Sequence, residues 1–169
     1  MGNKFLILKR KIISLTVICI VSFMYSYVYA QAGKVPSFRM VKTNGKIFRA
    51  ENLPFGKPII IIYFSPECDD CQRLTDDLLA RMNDFKNASI AMITYLSVDA
   101  VSQFEARNNL KKYGNIYIGT EGNYLFLKNY YNIEQFPFIA LFSKDGDLIK
   151  KYYSKEINVS DLVDRLKNL

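Results

Sequence analysis

The junction between "IIIIYF" (residues 59–64) and "SPECDDCQ" (residues 65–72) constrains this chain more than any other stretch. An unbroken β-branched and aromatic run lacks polar alternation, so it suits a strand covered on both faces. Directly after it the apolar period changes. Cys71, Leu74, Leu78 and Met82 recur at three- and four-residue steps, which predicts a helix that Cys68 opens and that ends near Asn83. A strand buried on both faces and followed at once by a helix requires layers packed on the two sides of a sheet.

The flanking segments extend that pattern. "FRMVKTNGKIF" offers two short strands joined through Asn44-Gly45, the strongest local signal for a tight hairpin, and "ENLPFGKP" is turn-rich. "ASIAMITYLSV", residues 88–98, predicts a second buried strand, after which Asp99 caps a helix carrying Val101, Phe104 and Leu110 toward Tyr113. "NIYIG" reads as a short strand, and "NYLFLKNYYNI" as a short helix with Tyr124, Leu127 and Tyr131 on one side. "FPFIALFSKDGDLIKKYY" reads as an antiparallel hairpin turning at Asp145-Gly146, and Ser160 or Asn158 caps a final helix with Leu162, Leu166 and Leu169 on one face. Hairpin, β-α-β-α, a crossing segment, β-β and helix in that order predict an α/β sandwich around a mixed sheet.

The first thirty residues have a different character. Lys4, Lys9, Arg10 and Lys11 precede an uncharged stretch from Ile12 to Ala30 that ends in Val28-Tyr29-Ala30, the make-up of a secretory signal peptide cut after Ala30. The stretch is also long enough to span a bilayer, so an uncleaved anchor is the alternative and would be the domain's sole tie to a membrane. Both readings place the domain, residues 38–169 after a link over 31–37, outside the cytoplasm, in a periplasm, where disulfides are permitted. The four leader cations also account for most of the net charge of +7. Without them 19 Lys and Arg face 16 Asp and Glu, a net of +3, which calls for no nucleic-acid partner.

Histidine is absent, so the commonest metal ligand and general base are missing and the chemistry falls to other groups. With Cys19 in the leader, Cys68 and Cys71 are the thiols of the mature domain. Three residues apart at a helix start, their Cα atoms stand about 5–6 Å apart, within the range a disulfide accepts. The helix N-terminus favours a thiolate on the first, which makes Cys68 the nucleophile and Cys71 the resolving thiol. Asp69 and Asp70 oppose this: an exposed carboxylate some 6–8 Å away disfavours the thiolate by about 0.5–1 kcal/mol, and two together at least cancel the ~0.3–1 kcal/mol helix-end benefit. That balance predicts a reductant or mid-potential exchanger, since strong oxidants have a stabilised reduced form. Three other uses suit the pair less well. Half a zinc site has no second pair and no histidine to complete it. A disulfide that only staples a binding module closes too short a loop to constrain much of the unfolded chain. A thiol peroxidase of the P-x-x-x-T-x-x-C type would need proline and threonine where Ile61 and Ser65 stand.

"GKPIIIIYFSPECDDCQ" resembles the strand, C-x-x-C and helix of thioredoxin-like proteins, and "FRMVKTNGKIFRAENL" is similar to the N-terminal hairpin of TlpA-like extracytoplasmic thiol-disulfide oxidoreductases. "YYNIEQFPFIALFSKDGDLI" resembles that family's later segment, in which a proline before the fourth core strand is cis and faces the C-x-x-C. The resemblance implies a thioredoxin-like three-layer α/β sandwich with a central mixed sheet and an N-terminal β-hairpin. It also implies a cis bond at Pro137, with Phe136 and Pro137 contacting substrate, and disulfide exchange with cysteine-containing proteins. A second redox protein resets the pair, and neither cofactor nor metal takes part. Two departures stand out: Glu67 replaces the tryptophan many relatives carry before the first cysteine, and Ile62 occupies the place of thioredoxin's buried acid. Glu67 is then the candidate for moving the proton of Cys71.

Overall fold

The computed structural model describes residues 13–22 and 33–169. Residues 13–22 are helical and belong to a unit, Met1–Lys34, distinct from the compact unit Val35–Leu169. The basic leader residues and the expected cleavage point after Ala30 lie outside the described residues. Among the described residues no helix is long and apolar enough to cross a membrane.

The domain is built on seven strands: β1 (Arg39–Lys42), β2 (Ile47–Arg49), β3 (Ile59–Tyr63), β4 (Ser89–Thr94), β5 (Ile116–Thr120), β6 (Phe138–Phe142) and β7 (Leu148–Tyr153). They form one sheet in the order β2-β1-β5-β4-β3-β6-β7. β3, β4 and β5 are parallel, as βαβ crossovers require, and the remaining pairs are antiparallel. The helices are α1 (Asp69–Ala80), α2 (Met82–Phe85), α3 (Val98–Arg107), α4 (Phe126–Tyr130) and α5 (Val159–Leu166).

The "IIIIYF" run takes the central position its composition called for, and every residue of β3 is buried. Ile60, Ile62 and Phe64 pack on one face with Cys71, Leu74 and Leu78 of α1, Val101 and Phe104 of α3, and Leu162 and Val163 of α5. Ile59, Ile61 and Tyr63 point the other way, toward Phe38, Met40, Leu127, Tyr131 and Phe138. Period-two alternation therefore feeds two cores from one strand, each isoleucine contributing on the order of 1.5–3 kcal/mol. The antiparallel register of β3 with β6 sets Tyr63 opposite Phe138 and Ile59 opposite Phe142.

Both hairpins form where the glycines placed them, with a turn other than the two-residue primed type. Gly45 (φ 77°) and Gly146 (φ 79°) are left-handed while Asn44 and Asp145 are not. Gly45 N–H donates to the Lys42 carbonyl at 2.9 Å and Gly146 N–H to Ser143 at 3.0 Å, the four-residue turn closed by a left-handed glycine. Gly119 is needed for a different reason. A Cβ there would stand 2.7 Å from the Val41 carbonyl oxygen, so β1 reaches β5 only past a glycine.

Other boundaries differ from the sequence expectation. The long helix stops at Arg81 and a separate turn, α2, follows. The second strand ends at Thr94, and α3 is capped by Ser97, whose Oγ accepts from Ala100 N–H at 3.2 Å; Asp99 lies in its first turn and Leu110 beyond its end. Serine and aspartate both suit a cap, and the position whose backbone is extended takes the role. Tyr124 does not share the side of Leu127 and Tyr131: it sits in a 3-10 turn, 68% exposed, because Leu125 (φ 47°) breaks the helix before Phe126. At α5 Asn158 is the cap, its Oδ1 accepting from the N–H groups of Ser160 and Asp161. Lys150, placed with Lys144, Lys151 and Lys155 on a solvated face, is half-buried and donates to Asp161 Oδ2 at 3.0 Å, beside Tyr152 Oη at 2.8 Å and Arg165 Nε at 3.1 Å.

Candidate active site

The two cysteines sit where β3 gives way to α1, and both are free thiols. Cys68 is the cap of α1, not its first helical residue: its backbone is extended (φ −96°, ψ 122°) and its sulfur accepts the Cys71 N–H at 3.2 Å. A sulfur in the capping position faces the unpaired N–H groups of the first turn, the place in a helix best suited to negative charge. Cys71 lies on the core-facing stripe of α1 with Leu74, Thr75 and Leu78 and is 1% exposed, whereas Cys68 is half-buried. Burial first, then the hydrogen bond to Cys68, pushes the Cys71 thiol far above its ordinary range, against a smaller opposing effect of the Ser65 backbone. One sulfur is reachable and the other is held protonated behind it.

Opposite the pair stands the turn into β6. The Phe136–Pro137 peptide is cis, as the family resemblance implied. The Phe136 carbonyl oxygen lies 3.8 Å from Cys68 Sγ, within reach of a thiol donor, and also accepts from Ser154 Oγ at 3.0 Å. The antiparallel register explains the meeting: β6 begins beside the end of β3, so the residues just outside the two strands, 136–137 and 65–68, fall together. The Phe136 ring packs 5.9 Å from Tyr63 and 5.6 Å from Tyr95, so its aromatic neighbours come from the ends of β3 and β4.

Three further contacts hold the loop. Arg107 at the end of α3 donates to the Pro66 carbonyl at 3.2 Å, and Gln72 pairs with Asn108 at 2.6 Å, tying α1 to α3. Asp70 is ion-paired to Arg73, which offsets one of the two carboxylates between the cysteines. Glu67, the candidate for proton transfer, is not brought to Cys71: it is exposed, its backbone N–H donates to Ser65 Oγ at 3.4 Å, and its carboxylate makes no hydrogen bond or ion pair among the described residues. A buried acid does exist elsewhere. Glu121, 5% exposed, accepts from Tyr63 Oη at 2.6 Å and from the N–H of Leu127 at 2.9 Å, on the sheet face away from Cys71. Burial and that bond raise the Tyr63 phenol well beyond its usual range. Among the described residues no group of three or more cysteines and carboxylates could hold a metal ion.

The sequence could not have shown Ser154 or Arg107 as neighbours of the site. They reach it across 18 and 41 residues, and neither sits in a local motif.

A mixed seven-stranded sheet layered by helices, with a thiol pair at a strand-to-helix junction facing a cis-proline, defines a thioredoxin-like protein. The chain belongs to the thioredoxin-like domain family, whose model matches residues 50–166. Among solved structures it is similar to a secreted disulfide oxidoreductase of Mycobacterium tuberculosis homologous to E. coli DsbE. The TM-score is 0.64 at 19% identity, covering 79% of this chain and 96% of that one. It is also similar to a thiol-disulfide oxidoreductase from Bacteroides fragilis, with TM-score 0.64, 16% identity, and 80% and 98% coverage. The thioredoxin domain of a Bacteroides vulgatus thiol-disulfide oxidoreductase gives TM-score 0.65 at 19% identity, with 81% and 95% coverage. No curated protein matches in sequence.

Proposed function

We propose that this protein is an exported thiol-disulfide oxidoreductase that exchanges disulfides with cysteine-containing proteins through Cys68 and Cys71. The observation that carries the reading is the asymmetry of the pair: a half-buried sulfur at the helix cap, beside the Phe136 carbonyl and cis-Pro137, with a buried protonated thiol one turn behind it.

In the reducing direction the Cys68 thiolate attacks one sulfur of a client disulfide. A mixed disulfide forms and the client's other sulfur leaves as a thiolate. Cys71 then loses its proton and attacks Cys68 Sγ, forming the Cys68–Cys71 disulfide and releasing the client's second sulfur as a thiolate. Two electrons have passed from the pair to the client, and a second redox protein returns them. Phe136 and Pro137 present the edge along which a client backbone lies. With Glu67 exposed, a water at the mouth of the site is the acceptor for the Cys71 proton, and Glu67 is the side chain that would relay it to solvent. Arg73 offsets Asp70 but leaves the Asp69 carboxylate facing the helix start, which supports the poise of a reductant or mid-potential exchanger. Export rests on the leader composition, with the family resemblance in support.

Turbidity from insulin reduction, run on the parent and on the Cys68→Ser and Cys71→Ser forms, tests the reading. Loss of turnover in both variants, with a trapped mixed disulfide in Cys71→Ser, is expected. Equal behaviour of all three would leave a binding module, and rapid hydrogen peroxide consumption would point to a peroxidase.

A further inference from the structure

Two donors share the Phe136 carbonyl oxygen, and one of them depends on the redox state. Cys68 Sγ lies 3.8 Å from it and Ser154 Oγ 3.0 Å. A carbonyl oxygen carries two lone pairs, so both bonds can form at once. The bond from the sulfur needs the thiol hydrogen. When the Cys68–Cys71 bond forms, two protons and two electrons leave the pair, and Cys68 has nothing left to donate. Ser154 Oγ is the donor that stays.

The fold puts the hydroxyl there in either redox state. Tyr153, the last residue of β7, is in register with Phe138, so the residues just outside that pairing, Ser154 on one strand and Phe136 on the other, come together. Both are half-buried. In the reduced protein the hydroxyl is partly redundant, because Cys68 S–H serves the same oxygen. In the oxidised protein its loss would leave a part-buried carbonyl unmatched, the more costly of the two situations. Ser154 therefore stabilises the disulfide relative to the dithiol. It also leaves the Cys68 S–H only a share of the oxygen, so that without the hydroxyl the thiol would hold its hydrogen more firmly and the dithiol would gain again.

We infer that Ser154 is a positioning residue for the exchange site, acting through the Phe136 carbonyl to favour the Cys68–Cys71 disulfide and so to keep the pair on the reducing side. The inference rests on the exchange reading above and adds the residue that sets its poise. The ordinary trend, in which a pair becomes more oxidising as its thiolate is stabilised, runs the other way here. Removing the hydroxyl should make the pair more oxidising while Cys68 becomes less reactive.

The test equilibrates the full chain with reduced and oxidised glutathione, two glutathione thiols reducing the disulfide and leaving as glutathione disulfide. Ser154→Ala should move the equilibrium constant toward the dithiol by about three- to tenfold, which is about 15–30 mV for a two-electron couple. Alkylation of Cys68 by iodoacetamide at pH 7, read by peptide mass, should slow by about threefold in the same variant. Ser154→Thr keeps the hydroxyl and should return both readings to the parent values. Ser154→Val has the shape of that variant without the hydroxyl and should behave as Ser154→Ala does, so the Thr and Val forms decide the matter even where Ser154→Ala fails to fold. Equal potentials in the Ser154→Thr and Ser154→Val forms, or a shift toward the disulfide, would overturn the inference while leaving the exchanger intact. So would faster alkylation, which is what a merely loosened loop would give. A parent pair that forms no disulfide in oxidised glutathione is the separate signature of a failed exchange reading, and it removes this inference as well.

Discussion

Replacing Tyr63 by phenylalanine deletes one oxygen from the middle of the protein and should be costly out of proportion to its size. The Tyr63 hydroxyl is fully enclosed and donates to Glu121 Oε1 at 2.6 Å; the other donors to that side chain are Leu127 N–H at 2.9 Å and Lys128 N–H at 3.5 Å. The deletion therefore removes the shortest of three bonds to a buried acid, a loss of about 1.5–3 kcal/mol for a hydrogen bond to a charged group. For a domain of this size that corresponds to a fall in Tm of about 5–10 °C. The chain has no tryptophan, so the measurement is urea and thermal unfolding followed by far-ultraviolet circular dichroism, with an unchanged m-value as the check on two-state behaviour. In a Glu121→Gln background the same deletion should cost only about 1 kcal/mol, because a neutral acceptor is then left unmatched. Insulin reduction should survive, since a phenylalanine ring keeps the 5.9 Å contact with Phe136. A midpoint within about 1 °C of the parent, or strictly additive single substitutions, would refute the reasoning.

Three other outcomes follow from the same structure. The Cys71 thiol is raised from its ordinary value of 9.0, so the stability it contributes is fully present below that pH and is lost as pH rises above it. The reduced protein should then lose up to about 1.4 kcal/mol per pH unit from this group on entering the alkaline range, a slope that urea unfolding should find shallower in Cys71→Ser. Asp161 is held well below the ordinary carboxylate value of 3.8 by Arg165, Tyr152 and Lys150, and the Tyr152 phenol is pushed up to about 12 by burial and by Asp161. The lowered group stabilises above its ordinary value and stops doing so as pH falls through its folded one, so urea unfolding should find a larger loss of stability between neutral and acid pH in the parent than in Asp161→Asn, each measured against its own neutral value. Gly119→Ala should destabilise by at least about 1–3 kcal/mol in denaturant titration, since its Cβ would meet the Val41 carbonyl at 2.7 Å and the backbone there cannot swing aside as a side chain would.

What the sequence disclosed and what it withheld divide along a physical line. Ile59–Phe64 announced a central strand because a covered strand has no solvent face to encode, and Cys68, Cys71 and Gly45 were legible because helix and turn geometry act over a few residues. Pro137 needed the family pattern, since one proline carries no sign of its isomer. The cap of α3 fell on Ser97 and the break after Ala80 on Arg81, choices made by how the segment docks on the sheet and not by local preference. Ser154 and Arg107 reach the site through tertiary contacts spanning 18 and 41 residues, a separation at which no periodicity survives. Glu121 looked like one acid in a turn, and only the arrival of Tyr63 across 58 residues makes it a buried anchor.

The pairing of Tyr63 with Phe138 has a consequence for how this chain can vary. A single residue added within β3 or β6 would carry Phe136 about 3.4 Å along the sheet and turn it to the opposite side, pulling the proline loop out of range of the sulfur. Insertions at the Ser143–Asp147 turn, at the far end of both strands, leave that alignment untouched. The two strands thus act as a gauge block for the reacting sulfur, and length changes that preserve exchange should accumulate away from it.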